Sequence, residues 1–361
     1  MMKAMSWITT GLFVWMLFLI EVAEPAPRAV KSIKAENGDV IDCINIYQQP
    51  AFNHPRLKNH KIIGVAPGNM SSSTRGKAVR QPWRKNGKCP DGTIAVRRAT
   101  QHSRIETDAT QPTPIPTNSC YIDYAGLETL QKSYGTRGYV DVWGIKVEPN
   151  EWSASGVVVS NGKGSRLQFG WMVSPTLYGD DGQTRLFIRT VDPPSGVDCF
   201  NLECSGFVQT TNEIAFGAVL TPLSQVGGDQ FEDSLTNNWW VVFGGDTPLG
   251  YWPKELFPTF NNGSSRSYMG GEVCNRHPGE RFTTSQMGSG AYITDGWGKC
   301  AFVDAMQLRH SDDTWEKARK VSGEFSRACY GVLIYNSQDG LTSAMYGGTG
   351  NEECCGNPCL K

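Results

Sequence analysis

Arg166–Val173 reads RLQFGWMV, and the period of this stretch decides the fold. Leu167, Phe169 and Trp171 recur at every second position, which aims them at one face of a β-strand. Gln168 is left on the other face beside Gly170 and Met172. The same short alternation recurs in GYVDVWGIKV, GVVVSN, TRLFIRTV, CSGFVQT, EIAFGAVL, NWWVVFGG, SYMGGEV, AYIT and GVLIYN. Gly, Asn, Asp and Pro punctuate these runs, the pattern of a large antiparallel β-sandwich or barrel. One segment, Ser311–Phe325 (SDDTWEKARKVSGEF), reads instead as a helix with Ser/Asp at its start.

Composition agrees with an all-β chain. Forty glycines, twenty prolines and 11% aromatic residues in 361 favour many strands and turns over helices. A formal net charge of −1 supplies no basic field for nucleic acid or anionic lipid, so neither is expected as a partner. The N-terminus has Lys3, an apolar run from Gly11 to Ile20, then small residues around Ala23 and Ala26. That run is shorter than the about 20 residues of a membrane span and has the layout of a secretory signal over 1–26. The mature chain is therefore expected to be exported and free of the membrane, with an uncleaved anchor as the alternative.

Eleven cysteines suit an oxidising compartment. Cys199 and Cys204 in CFNLEC can close a tight loop, and Cys43 with Cys89 can close the N-terminal region. The odd count leaves one thiol free or intermolecular. No zinc-type spacing is present, so no metal and no cofactor is expected. Asn69 and Asn262 head glycosylation sequons that matter only if the chain is exported.

Residues 27–117 form a polar region with a few apolar patches, too few for a large core of its own. It ends in DATQPTPIPTNS, Asp108–Ser119, an extended Pro-rich boundary. Two readings of this boundary stay open, a surface loop or a processing site between a pro-region and residues 118–361. Among catalytic signatures, GxSxG, HExxH and a phosphate loop are absent. Asp246-Thr247 is a near miss to the aspartic-protease motif, with Pro248 in place of Gly and no second copy. What remains is Glu272 in SYMGGEVCN, behind two glycines that let a backbone or ligand come close. It is either a surface Glu or a half-buried carboxylate suited to acid–base work. Trp171, Tyr178, Trp252 and Gln286 are candidates to line a peptide- or sugar-binding cleft; core packing is the plain alternative for the rings.

These residues resemble the plant neprosin family. IKAENGDVIDCINIYQQPAFNHPRLKNHKI and KCPDGTIAVRR are similar to its activation region. GWMVSPTLYGDDGQTRLF, CFNLECSGFVQT, NWWVVFGG, LGYWP, MGGEV, TSQMGSG and GWGKC are similar to its catalytic domain, in the same order. The resemblance implies a secreted zymogen with a two-sheet β-sandwich, a glutamic endopeptidase that cuts after proline with two glutamates. One maps onto Glu272; the other position holds Gln168. Fungal eqolisin-type glutamic peptidases pair a Gln with a Glu, so Gln168 and Glu272 are the expected catalytic pair, with an acidic optimum. The alternative is a pseudo-peptidase that binds proline-rich proteins or glycans. The expected partners are a proline-containing substrate and the chain's own pro-region as inhibitor. Two further bridges are expected on this reading, Cys274–Cys300 to pin the strand of Glu272, and Cys329–Cys359.

Overall fold

The computed structural model describes residues 28–64, 79–99, 120–179, 181–230, 232–237, 239–245, 247–277 and 282–350. The expected signal segment over residues 1–26, Asn69, the Pro-rich boundary, Asp246, Cys354, Cys355 and Cys359 lie outside the described residues. Most of the alternating runs become antiparallel sheet, but EIAFGAVL forms turns with one isolated bridge at Val219, and AYIT runs into a 3-10 helix at Ile293–Asp295. The N-terminal region forms a three-stranded sheet, β1 (Lys31–Lys34), β2 (Val40–Asn45) and β3 (Thr93–Arg97), bridged by Cys43–Cys89.

The remainder supplies β4 (Tyr121–Thr129), β5 (Thr136–Asp141), β6 (Trp152–Ser160), β7 (Arg166–Val173), β8 (Arg185–Asp192) and β9 (Val197–Phe200). It continues with β10 (Val208–Gln209), β11 (Glu232–Asn237), β12 (Trp240–Phe243), β13 (Thr247–Tyr251) and β14 (Arg266–Asn275). The last strands are β15 (Ala301–Arg309), β16 (Trp315–Lys317), β17 (Ser322–Phe325), β18 (Gly331–Asn336) and β19 (Thr342–Gly347). Seven of them make one sheet in the order β17-β4-β14-β6-β7-β8-β9. Nine make the second, β10-β13-β12-β11-β5-β15-β19-β18 with β16 added on β15.

The core lies between these two sheets. Leu127, Val157, Val159, Leu167, Phe169, Trp171, Ile188 and Val273 of the first sheet pack with Val140, Val241, Phe243, Val303 and Tyr346 of the second. Each buried side chain of this kind contributes about 1.5–3 kcal/mol, which is why the strands that bound this core carry an apolar face. The other face of the seven-stranded sheet carries a second, smaller cluster, including Trp152, Ala154, Met172, Tyr178, Phe187 and Cys274. Gln168 and Glu272 belong to that outer face.

The helix expected over Ser311–Phe325 does not form. Its first residues make a turn in which the Asp312 carboxylate accepts from the Thr314 backbone N–H at 3.1 Å. Its middle then pairs with β15 as β16, with the Arg137 guanidinium over the Trp315 ring, and its end pairs with β4 as β17. A helix would leave the strand edges of β15 and β4 here without ladder partners, and tertiary pairing outweighs the local helix preference.

The N-terminal sheet shares the core of the larger unit. Ile44, Ala51, Leu57, Val79 and Ile94 join the main apolar cluster, while Ile33, Ile41, Trp83 and Ala95 pack with Ala215 and Ala218. Gln49 and Gln209 are both fully buried and exchange backbone-directed bonds: Gln49 Nε2 donates to the Gln209 carbonyl at 3.0 Å, and the Gln209 N–H donates to Gln49 Oε1 at 2.7 Å. Gln81 does the same at Ala215, at 2.7 and 2.8 Å.

Candidate active site

Strand register explains how two distant side chains meet. Across the outer face, Gln168 of β7 stands beside Val158 of β6, and Val158 beside Tyr268 of β14. Further along, Glu272 stands beside Ala154, and Ala154 beside Met172. Between these rows lies a row of glycines in register: Gly126, Gly270, Gly156 and Gly170. At a strand spacing of about 4.8 Å and a rise of about 3.3 Å per residue, the diagonal from Gln168 to Glu272 is well over 10 Å between backbones. Two extended side chains of about 5 Å span it only if nothing stands between them, and Gly156 occupies the midpoint.

The glycines are there because the backbones leave no room for more. A Cβ on Gly156 would lie 2.2 Å from the Phe169 carbonyl oxygen, and one on Gly170 would lie 2.0 Å from that of Ser155. At the Gly126–Gly270 end of the row, the Tyr268 hydroxyl fills the space and donates to the Gly271 carbonyl at 2.7 Å.

Over the remaining glycines the Gln168 amide Nε2 donates to Glu272 Oε2 at 3.2 Å. Both residues are buried, at 1% and 4% exposure. A third group completes the cluster: an Nη atom of Arg166 donates to Glu272 Oε1 and also to Gln168 Oε1, the latter at 3.3 Å. Arg166 is not among the sequence candidates, although it sits two residues before Gln168 and therefore on the same face. Nearby, Arg266 pairs with Glu128 and stands over the Tyr268 ring, whose edge meets Tyr124. Burial and the Glu272 charge push the Tyr268 phenol well above its ordinary pKa, so it stays a neutral donor.

Other candidates fall elsewhere. Trp171 is a core residue on the inner face, its indole N–H donating to the Asp141 carbonyl at 2.7 Å. Trp252 is also core, bonded to Thr190 at 2.8 Å and edge-on to Phe207. This corrects the cleft-lining expectation for both rings: their apolar area is used between the sheets. Gln286 joins two loops, its N–H donating to the Lys146 carbonyl and its Oε1 accepting from the Lys146 N–H, each at 2.9 Å. Tyr178 is on the outer face but buried beneath two guanidiniums, Arg97 of the N-terminal sheet and Arg185 of β8, 5.3 and 5.1 Å from its ring centre. Burial pushes its phenol up to about 12.

Asp39 ties that corner together. It accepts from Arg97 at 2.8 Å and Arg185 at 2.7 Å, with all three side chains under a tenth exposed. Burial alone would raise its carboxyl, but the two arginines outweigh that and hold it below its ordinary pKa. None of the hydrogen bonds among the described residues links the N-terminal region to Gln168 or Glu272. A third polar group, Glu148, Glu151 and His277, has its carboxylates taken up by Thr283, Thr284, Ser285 and the Arg276 N–H, and fixes the loop that follows β14.

The strand carrying Glu272 is pinned by a bridge, but not the expected one. Cys274 is bonded to Cys120, which heads β4 beside β14, and Cys300 is a buried free thiol. Register decides this: Cys274 faces Ile122 across the ladder, within reach of Cys120 at a Cα separation of 5.2 Å. Cys199–Cys204 forms, and Cys329 is disulfide-bonded, its expected partner Cys359 being outside the described residues. Asn262 is exposed in the turn before β14.

Comparison with known proteins follows the same division. The neprosin activation peptide profile matches residues 32–112, and the neprosin profile matches residues 149–349. The chain belongs to the neprosin family. It has the layout of a peptidase zymogen, an activation peptide ahead of the peptidase domain. Two crystal structures of scytalido-glutamic peptidase, one with a peptide-based transition-state analogue and one with a transition-state analogue inhibitor, are also similar. They share 10% and 11% identity and TM-scores of 0.34 and 0.33, each match covering 63% of this chain and 99% of the other.

Proposed function

We propose that the protein is a secreted glutamic endopeptidase, active in acid, that cuts after proline and is made as a zymogen. The observation that supports this most is the Gln168–Glu272 contact at 3.2 Å on the outer face, over a row cleared of side chains. In the reaction, the Glu272 carboxylate takes a proton from a water whose oxygen attacks the scissile carbonyl carbon. Glu272 then returns that proton to the leaving nitrogen as the C–N bond breaks. The Gln168 amide has no acidic proton to give, so its part is to hold the water and the carbonyl oxygen. Family membership supports the proline preference, and Pro112, Pro114 and Pro116 place candidate cleavage points ahead of the peptidase domain. The N-terminal apolar run and the disulfides support export. The pro-region is read as an inhibitor held in place through Asp39, Gln49 and Gln81.

The test is hydrolysis of a proline-containing peptide at about pH 4 by the activated chain, beside Glu272→Gln and Gln168→Ala. Loss of Glu272 is expected to abolish cleavage; cleavage that survives it refutes the mechanism. A second reading, a pseudo-peptidase that holds proline-rich chains without cutting them, draws on Gln168 standing where a second glutamate is expected. Gln168→Glu separates the two: proteolysis that arises only in this variant favours the binding reading.

A further inference from the structure

A two-residue account leaves the Arg166 guanidinium without a role, yet it touches both members of the pair. A pair of carboxylates so close shares a proton because both cannot ionise. Here one partner is neutral, and a guanidinium, which does not deprotonate in proteins, bridges the two instead. The cluster therefore pairs the Glu272 carboxyl with a guanidinium rather than with a second carboxyl group. A second observation is independent of that pairing. Arg166 Nε is buried with no hydrogen-bond partner among the described residues, an N–H donor kept dry beside the site. Buried donors are almost always satisfied, so this one calls for a partner, and a substrate oxygen at the cluster is one that would supply it.

We propose that Arg166 is a third catalytic residue, whose guanidinium donates to the substrate carbonyl oxygen as it becomes an oxyanion. This rests on the peptidase reading of Glu272 and Gln168. As the water oxygen bonds to the carbonyl carbon, the C=O electron pair moves onto oxygen, and the Arg166 and Gln168 N–H groups receive that charge. When the C–N bond breaks, the pair returns to re-form the carbonyl and the proton passes from Glu272 to nitrogen. The guanidinium exchanges no proton at any step. A fixed cation is worth most where charge develops, in a site closed to water.

The experiment compares activated wild type with Arg166→Met, Arg166→Lys and Arg166→Ala on one proline-containing peptide, with thermal melts as the folding control. The expected result for Arg166→Met is a kcat lower by about 100-fold or more with KM within about threefold, the mark of a contact made only in the transition state. Arg166→Lys keeps the charge opposite Glu272 and is expected to recover part of kcat. Free guanidinium, below the unfolding range, is expected to restore Arg166→Ala by roughly tenfold or more. Unchanged kcat, a rise in KM alone, or no rescue in a folded variant overturns the proposal. If wild type cuts no proline peptide, the peptidase reading fails by itself, and Arg166 is judged by binding. A peptide with a phosphinate in place of the scissile amide is then expected to bind wild type about 100-fold tighter than Arg166→Met, with the parent peptide nearly unaffected. Equal loss for both ligands, or no binding of the phosphinate, overturns the role of Arg166.

Discussion

Replacing Asp39 by asparagine tests whether one buried carboxylate locks the activation peptide to the peptidase domain. Asp39 lies in the turn before β2, accepts from Arg97 and Arg185, and takes a further bond from Asn37 at 2.9 Å. Arg185 is 1% exposed, so loss of its charged partner leaves a buried cation. Removing one member of a buried pair costs about 3–5 kcal/mol. Arg185 keeps Asp181 and the Gly217 carbonyl, which sets the expectation near the low end, about 3 kcal/mol, or roughly 150-fold in how often the N-terminal sheet opens. The pH dependence has a definite sign. Because the folded carboxyl titrates below its ordinary value, its contribution is whole above about pH 4 and is lost as acid lowers the pH through the folded pKa. Acid therefore loosens this contact in wild type, while the Asp39→Asn variant lacks it at every pH. The assay is hydrogen exchange of the Val40–Asn45 amides in the full chain across an acid series. Protection in the variant is expected to be low already at neutral pH and nearly flat toward acid. Equal protection in both proteins, falling at the same pH, would refute the reasoning.

Three further outcomes are expected. Gly156→Ala puts a methyl against the Phe169 carbonyl oxygen and between Gln168 and Glu272; it is expected to lower stability by about 1–3 kcal/mol or more and to remove activity in any fraction that folds, read by urea melts and peptide assay. Cys120→Ser opens a bridge that spans a sequence separation of 154 and is expected to cost about 5 kcal/mol by chain entropy, measured by chemical denaturation against the oxidised wild type. Cys300, buried and with its thiol pushed up to about 11 chiefly by desolvation, is expected to resist alkylation at neutral pH until urea unfolds the chain; fast labelling of the native protein contradicts its placement.

Much of this is legible in RLQFGWMV and its neighbours. Alternation alone puts Leu167, Phe169 and Trp171 inward and Gln168 outward, because a strand's side chains must take opposite faces. The same rule applied two residues earlier finds Arg166, but a charged residue at a strand's start ordinarily signals nothing more than solvent. The helix over Ser311–Phe325 fails for a different reason: local preference cannot register that two sheets offer open edges on either side of it. Trp252 and Trp171 are legible as buried rings but not as core rather than cleft, since both environments select the same residue type.

The family resemblance supplied the activation peptide, and the sequence by itself determined the sheet class and the opposition of Gln168 to Leu167, Phe169 and Trp171. It did so because those features follow from short-range periodicity and composition. Only the tertiary structure decided that four glycines align in one row, that Cys274 finds Cys120, that Asp39 meets Arg185, and that Arg166 bridges Gln168 and Glu272. Each of these depends on strand order and register between segments far apart in the chain, which no local pattern encodes.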